Sequence, residues 1–196
     1  MIPDGYTDIV PGKVVSVVTY LEMLARPPLA DLSSGLVSLR RVHNPALDWY
    51  RNLYQRAGAQ WLWFSRLEIT DGQLSDILNR ATTELYVAEH EAKEIGMTEL
   101  DRSNPPYVEI TSFALFPEAI GKGFGRAFMA ALLDRAWIGP TERVWLHTCN
   151  LDSPAALSFY QKCGFRPYKC AVEVADDPRL RGILPEDAAP QAPIIR

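Results

Sequence analysis

Val108-Glu109-Ile110-Thr111-Ser112-Phe113-Ala114-Leu115-Phe116-Pro117, then Glu118-Ala119-Ile120-Gly121-Lys122-Gly123-Phe124-Gly125-Arg126, then Ala127-Phe128-Met129-Ala130-Ala131-Leu132-Leu133-Asp134-Arg135-Ala136-Trp137, decides how this chain is read. The first part is apolar, β-branched and aromatic and lies between Pro105-Pro106 and Pro117, which predicts a strand over 108–116. In the third part Phe128, Leu132, Leu133 and Trp137 recur at helical spacing, and Gly139-Pro140 stops the helix. Between them lie three glycines at alternate positions. Glycine lets main-chain amides approach a ligand and tolerates positive φ. Free amides at a helix start favour an anion, with the helix dipole behind them. Lys122 and Arg126 add positive charge at the same bend.

Two common phosphate loops do not fit. The dinucleotide pattern G-x-G-x-x-G would need a glycine at Arg126 or Phe128, and the P-loop would need Gly-Lys-Ser/Thr five residues after a first glycine. The bend is read as another kind of pyrophosphate loop.

Outward from this core, Lys13–Met23 and Leu36–Val42 read as strands. Arg26-Pro27-Pro28 ends the first, and a loop holding Asp31, Ser33 and Ser34 follows it. Asn44-Pro45 reads as a helix start, with Leu47, Tyr50, Tyr54 and Ala57 at helical spacing and Gly58 as its stop. The aromatic cluster Trp61-Leu62-Trp63-Phe64 suits either a core or a pocket wall. Thr70-Asp71 caps a short helix, and strands 84–91 and 94–101 form a hairpin turning at Ala92-Lys93. Glu142–Cys149 is a further strand, and Ser153-Pro154 reads as the cap and first position of the next helix. Phe165–Val174 is the last strand. The tail, 176–196, is rich in Pro and Asp and is expected to dock on the domain.

The chain has 196 residues, 47% hydrophobic and 22% charged, with a net charge of −4, which fits one globular domain over 1–196 and carries no basic footprint for nucleic acid. No apolar run is long enough to span a bilayer, and the N-terminus lacks a signal peptide pattern, so no membrane partner is expected. Cys149, Cys163 and Cys170 are an odd count without CxxC spacing and read as reduced packing residues in a cytoplasmic protein. His43, His90 and His147 show no metal spacing, so no metal is expected, and His147 reads as structural. No G-x-S-x-G elbow occurs.

Two motifs carry a family resemblance. The loop around Gly123 and Gly125 resembles the acyl-CoA-binding pattern Arg/Gln-x-x-Gly-x-Gly/Ala of the GNAT superfamily of N-acetyltransferases, with Ile120 where Arg or Gln is usual. Ala156, Tyr160, Gly164 and Phe165 match that family's N-x-x-A-x-x-x-Y-x-x-x-G-F, with Ser153 in place of Asn. The resemblance spans roughly residues 84–174, the acyl-CoA-binding core, preceded by an N-terminal strand extension over 1–35. It implies an α/β (α+β) fold: a mixed, mostly antiparallel central sheet, splayed between the strands flanking the cofactor helix, with helices on both faces.

The resemblance also implies acetyl-CoA as cosubstrate, held by Phe113, Ala114, Leu115, Ile120, Gly121, Lys122, Gly123, Phe124, Gly125, Arg126, Ser153, Ala156 and Tyr160. The reaction implied is acetyl transfer to a small-molecule or peptide amine by direct attack. An alkyl amine of pKa near ~10 must lose a proton to attack, and a thiolate whose thiol has a pKa of about 8.5 benefits from gaining one. Tyr160 is the expected acid, its proton transfer uphill by about 2 kcal/mol, less beside a positive group. Glu109 is the expected base, with Glu99 or a water relay as alternatives. A catalytically silent acyl-CoA sensor or partner-binding domain is the competing function. Family members often dimerise, so a homodimer is compatible with the resemblance.

Overall fold

The computed structural model describes residues 4–26 and 35–196, and the loop read around Asp31, Ser33 and Ser34 lies outside them. Seven strands form one sheet: β1 (Lys13–Met23), β2 (Ser38–Val42), β3 (Thr83–His90), β4 (Lys93–Asp101), β5 (Tyr107–Leu115), β6 (Arg143–Cys149) and β7 (Arg166–Asp176). The helices are α1 (Leu47–Gly58), α2 (Ser65–Glu68), α3 (Asp71–Leu78), α4 (Phe124–Ala136) and α5 (Ala156–Lys162). The spatial order is β2-β3-β4-β5-β6-β1-β7. Every pairing is antiparallel except β5 with β6. This is the mixed, mostly antiparallel sheet that the family resemblance implied. The first strand in the chain is internal, antiparallel to β6 on one side and to β7 on the other.

Helices cover both faces. Met129, Leu132, Leu133 and Ala136 of α4 pack on Leu21, Leu100, Val108, Ile110, Val144 and Leu146, together with Tyr160 and Cys163 from the α5 region. On the other face Tyr50, Leu53, Tyr54 and Ala57 of α1 and Leu74 and Leu78 of α3 cover Leu85, Val87, Met97 and Ala114. Each fully buried leucine contributes about 1.5–3 kcal/mol relative to exposure. The tail after β7 is held by buried Arg179, whose guanidinium pairs with Asp177 at 2.7 Å and donates to the carbonyls of Ala188, Ala189 and Ala192. Leu184, Ala189 and Ala192 then pack on Leu62.

The local readings differ at several caps, turns and strand ends; β2 begins at Ser38 rather than Leu36, and β7 runs from Arg166 to Asp176. Asn44 is not the cap of α1: it has φ 47°, and the chain enters the helix through Ala46 without a side-chain cap. Ser153 does not cap α5 either. Pro154 and Ala155 occupy a turn, the helix begins at Ala156, and Ser153 bonds the Ala155 amide only at 3.4 Å. The β3–β4 turn falls on Glu91-Ala92, both at positive φ, one residue earlier than read. β5 ends at Leu115, with Phe116 opening the following 3₁₀ turn. Thr70 is a true cap of α3, exchanging bonds with Gln73 in a capping box.

Candidate active site

The sheet parts between β5 and β6. The two are paired only at Tyr107 with Arg143, Val108 with Val144 and Glu109 with Trp145. Immediately afterwards β5 carries a bulge: Leu100 faces Ile110 and Glu99 faces Ser112, so Thr111 is the extra residue. An inserted residue bends its strand and increases twist, which fits a departure from β6 at this point. The outer edge of β5 beyond Glu109 keeps main-chain groups that β6 does not take up.

α4 starts opposite this gap. Its entry is Gly123, at φ 84°, with no side-chain cap, and Gly121 also has positive φ, 79°. Around both glycines the space a Cβ would fill is open. Gly125 is different: a Cβ there would meet the Phe159 ring at 3.2 Å. The first helical amides are thus unblocked and aimed at a cleft of about 310 Å³ between β5, β6, the loop and α5. These features suit a diphosphate at the helix start and an extended amide-bearing arm along β5.

Phe113, Ala114, Leu115, Ile120, Gly121, Gly123, Gly125, Ser153, Ala156 and Tyr160 all line this cleft. Lys122, Phe124 and Arg126 do not: Lys122 and Arg126 are exposed, and Phe124 lies against His90 at 4.6 Å. Tyr160 is fixed by Phe159 at 5.5 Å, Phe113 at 6.2 Å and Phe165 at 6.3 Å. Burial, then Asp152 and Cys163, push its phenol further above the ordinary value. That is opposite in direction to the relief expected from a positive neighbour.

A second cavity, of about 490 Å³, opens on the α1 face of the sheet. Trp61, Trp63, Thr111, His147 and Asp152 line both spaces, so the two meet at the parted strands. The aromatic segment 61–64 walls this second cavity. Trp63 is seated because Gly58 has no Cβ, which would fall 2.4 Å from the indole. Its Nε1 donates to Asp152 Oδ1 at 3.0 Å, while Asp152 Oδ2 accepts from Thr148 at 2.6 Å and from the Cys149 amide at 3.0 Å.

Glu109 and Glu99 both line the second cavity, in different states. Glu99 is 1% exposed and accepts from Tyr50, from Arg66 at 3.2 Å and from Thr111 at 3.2 Å. Its oxygens are committed to the fold. Glu109 lies 3.8 Å from His147 Nδ1. Burial, then the charge of Asp101 directly across the ladder, push it up to about 7, against the pull of Arg66. A carboxylate near 7 can take a proton at neutral pH. Burial also raises the Cys149 and Cys163 thiols, which disfavours a thiolate nucleophile.

Arg66, Asp101, Asp152 and Glu173 were missed from the sequence, and His147 was read only as structural. No local motif joins them; they meet through strand pairing and the α2 entry. Among the described residues no group of His, Cys, Asp and Glu could hold a metal, and no helix is long and apolar enough to cross a membrane.

No curated protein matches the chain significantly. Several solved structures share its fold. A functionally unknown conserved protein from Staphylococcus epidermidis superposes with a TM-score of 0.60 at 16% identity, over 85% of this chain and 63% of its own, so this chain spans less than two thirds of that protein. An IAA acetyltransferase from Bacillus cereus gives 0.52 at 24% identity, over 68% and 79%. A GNAT family acetyltransferase from Elizabethkingia anophelis with acetyl-CoA bound gives 0.53 at 20% identity, over 69% and 79%. The model of the acetyltransferase (GNAT) family matches residues 45–165. That match takes in more than half of the chain and both sides of the parted strands, and the chain therefore belongs to the GNAT acetyltransferase family.

Proposed function

We propose that this protein transfers an acetyl group from acetyl-CoA to a primary amine by direct attack in a ternary complex. The observation that carries the reading is the junction of the two cavities at Thr111 and His147, with Tyr160 on the cleft side and Glu109 on the other. The open amides of the Gly121–Arg126 bend would take the diphosphate, and the unpaired edge of β5 at Phe113–Leu115 would bond the amide arm. The bound acetyl-CoA solved with the Elizabethkingia neighbour supports this choice of donor.

The acceptor cavity carries Glu99, Asp101, Glu109, Asp152 and Glu173 against Arg66, which favours an amine arriving as an ammonium ion. Glu109, directly or through one water, takes a proton from it. The neutral nitrogen attacks the thioester carbonyl; the C–N bond forms, the C–S bond breaks, the sulfur takes the Tyr160 proton, and the second proton, shed by the acylated nitrogen, passes through water to restore the phenol. The same desolvation that raises the phenol raises a buried thiolate's proton affinity, so donor and acceptor stay matched. The test is release of free thiol from acetyl-CoA across a panel of amines. Thiol appearing only with amine supports the reading; cofactor-induced thermal stabilisation with no turnover on any amine overturns it in favour of the silent sensor.

A further inference from the structure

A third cavity, of about 500 Å³, lies on the α4 face of the sheet at the far end of that helix, and it shares no lining residue with the two spaces that meet at the parted strands. Its volume is in the range of small-molecule sites. Leu39, Pro106, Val108, Ile138 and Pro140 give it apolar walls. Three arginines line it from distant parts of the chain: Arg41 on β2, Arg102 just after β4 and Arg135 in the last turn of α4. Among the described residues Glu84 is the one acidic residue in its lining. Three cations thus face one carboxylate, in a chain whose net charge is −4.

The arginines are not equally engaged. Arg102 is spent on the fold: it donates to Glu84 at 3.1 Å and to the carbonyls of Arg135 at 2.6 Å and Ala136 at 3.4 Å. It closes the end of α4, where carbonyls lack intrahelical partners. Glu84 is spent as well, on Arg102 and on the Tyr86 hydroxyl at 2.8 Å. Arg41 stands 3.6 Å from Glu84, outside hydrogen-bond reach. Arg135 meets no carboxylate among the described residues, and the adjacent Asp134 bonds Arg26. The Arg41 guanidinium lies 6.0 Å from the Tyr86 ring centre. Burial and then Glu84 raise the Tyr86 phenol, while Arg41 and Arg135 both pull it down, so the two cations act around one ring.

We infer that this cavity binds a small organic anion, whose carboxylate or phosphate oxygens are taken by Arg41 and Arg135 and whose apolar body sits against Leu39, Val108 and Ile138. Guanidinium groups suit such oxygens because they are permanently charged, weakly hydrated and able to donate in pairs. The apolar walls favour a body that an inorganic ion lacks, and the two spare cations disfavour a neutral or cationic molecule. Arg102 and Glu84 keep the cavity in shape and do not take the ligand. None of the residues given a role in acetyl transfer lines it, so the site stands or falls apart from that reading.

Calorimetry on the full chain reads binding without any activity. The probes are 2-naphthoate and 2-naphthyl phosphate, with 2-naphthamide as the same body without charge and acetate as the charge without the body. At least one of the two anions should bind, with the amide and acetate each about tenfold weaker or more; whichever head binds more tightly names the ligand class. Arg41→Gln and Arg135→Gln should each weaken that anion about tenfold, and the two together should abolish its heat. Lys at either position should restore part of the affinity, because it keeps the charge and loses the fork. Melting without ligand checks the fold of each variant. Should the double variant fail to fold, Ile138→Glu sets a carboxylate on a wall residue that is 58% exposed, and should weaken the anion at least about tenfold in a folded protein. No heat with either anion, an amide as tight as the anions, or an affinity unmoved in the folded double variant or in Ile138→Glu overturns the inference.

Discussion

Asp101 and Glu109 stand directly opposite each other on β4 and β5, two carboxylates on one ladder rung, while Arg66, the cation that acts on Glu109, is bonded to Glu99. Burial first, and then repulsion from the like charge of Asp101, hold a proton on Glu109 up to pH about 7. A base in that state is free only above its pKa. kcat/KM for the amine should therefore rise with pH through a midpoint near 7. Asp101→Asn should move that midpoint lower, since it removes a charge that raises Glu109. Glu109→Gln should abolish the limb and cut kcat/KM about 10²-fold or more. A limb that survives in Glu109→Gln belongs to another group.

The same shift has a stability consequence of opposite sign. The folded state binds a proton on Glu109 between its ordinary 4.5 and about 7, where the unfolded chain has released it. Stability therefore falls as pH rises through that window. Glu109→Gln should flatten this fall and raise stability at pH 8 by about 1–3 kcal/mol. Urea titrations of both proteins at pH 5 and pH 8 measure the difference.

Tyr160→Phe removes the proposed proton donor and keeps the ring contacts with Phe113, Phe159 and Phe165. Turnover should fall about 10²-fold, with little change in acetyl-CoA affinity or Tm. Because burial holds the phenol above its ordinary value, no alkaline limb from Tyr160 should appear below pH 10. Equal losses in kcat and in cofactor affinity would mean that the hydroxyl binds rather than donates.

The strand, bend and helix to which the proposed function gives the cofactor were legible because they are local. Strand, glycine bend and helix follow one another within thirty residues, and glycines at 121 and 123 mark positive φ wherever the chain folds. On the other side only Glu109, Glu99 and the aromatic segment 61–64 were picked out, because Arg66, Asp101, Asp152 and Glu173 lie far apart in the chain and meet only once the sheet is assembled. Asn44 and Ser153 misled for a related reason. Each is a good capping residue followed by proline, yet Asn44 takes positive φ and Ser153 is followed by a turn, so tertiary placement overrode local chemistry. The insertion of β1 between β6 and β7 has no sequence signal, since a Val-rich strand reads the same at an edge or inside.

Gly123→Ala tests the bend. The residue enters α4 at φ 84°, where a Cβ meets no neighbour but strains the backbone. The cost should be about 1–2 kcal/mol, felt as lower stability or as a shifted loop. Since the amides beside it are the proposed diphosphate ligands, KM for acetyl-CoA should rise about tenfold with the amine KM unchanged. Calorimetry with CoA separates this from a general loss of fold: heat lost with Tm nearly retained supports the assignment, and unaltered heat refutes it.

Arg66→Ala tests what holds the acceptor cavity in shape. Glu99 beneath it is 1% exposed and relies on Arg66, Thr111 and Tyr50, whose phenol is kept well above its ordinary value by burial and by Glu99. Removing the guanidinium leaves a buried carboxylate one donor short, which should cost about 3–5 kcal/mol. Arg66→Lys retains the charge but presents a different donor geometry, and should fall between. Because Arg66 lies directly after the segment carrying Trp61, Trp63 and Phe64, both variants should raise the amine KM more than that for acetyl-CoA. Urea unfolding with an unchanged m-value, read beside the two KM values, checks both halves. A loss of stability with both KM values unmoved would place the Arg66–Glu99 pair in the scaffold alone.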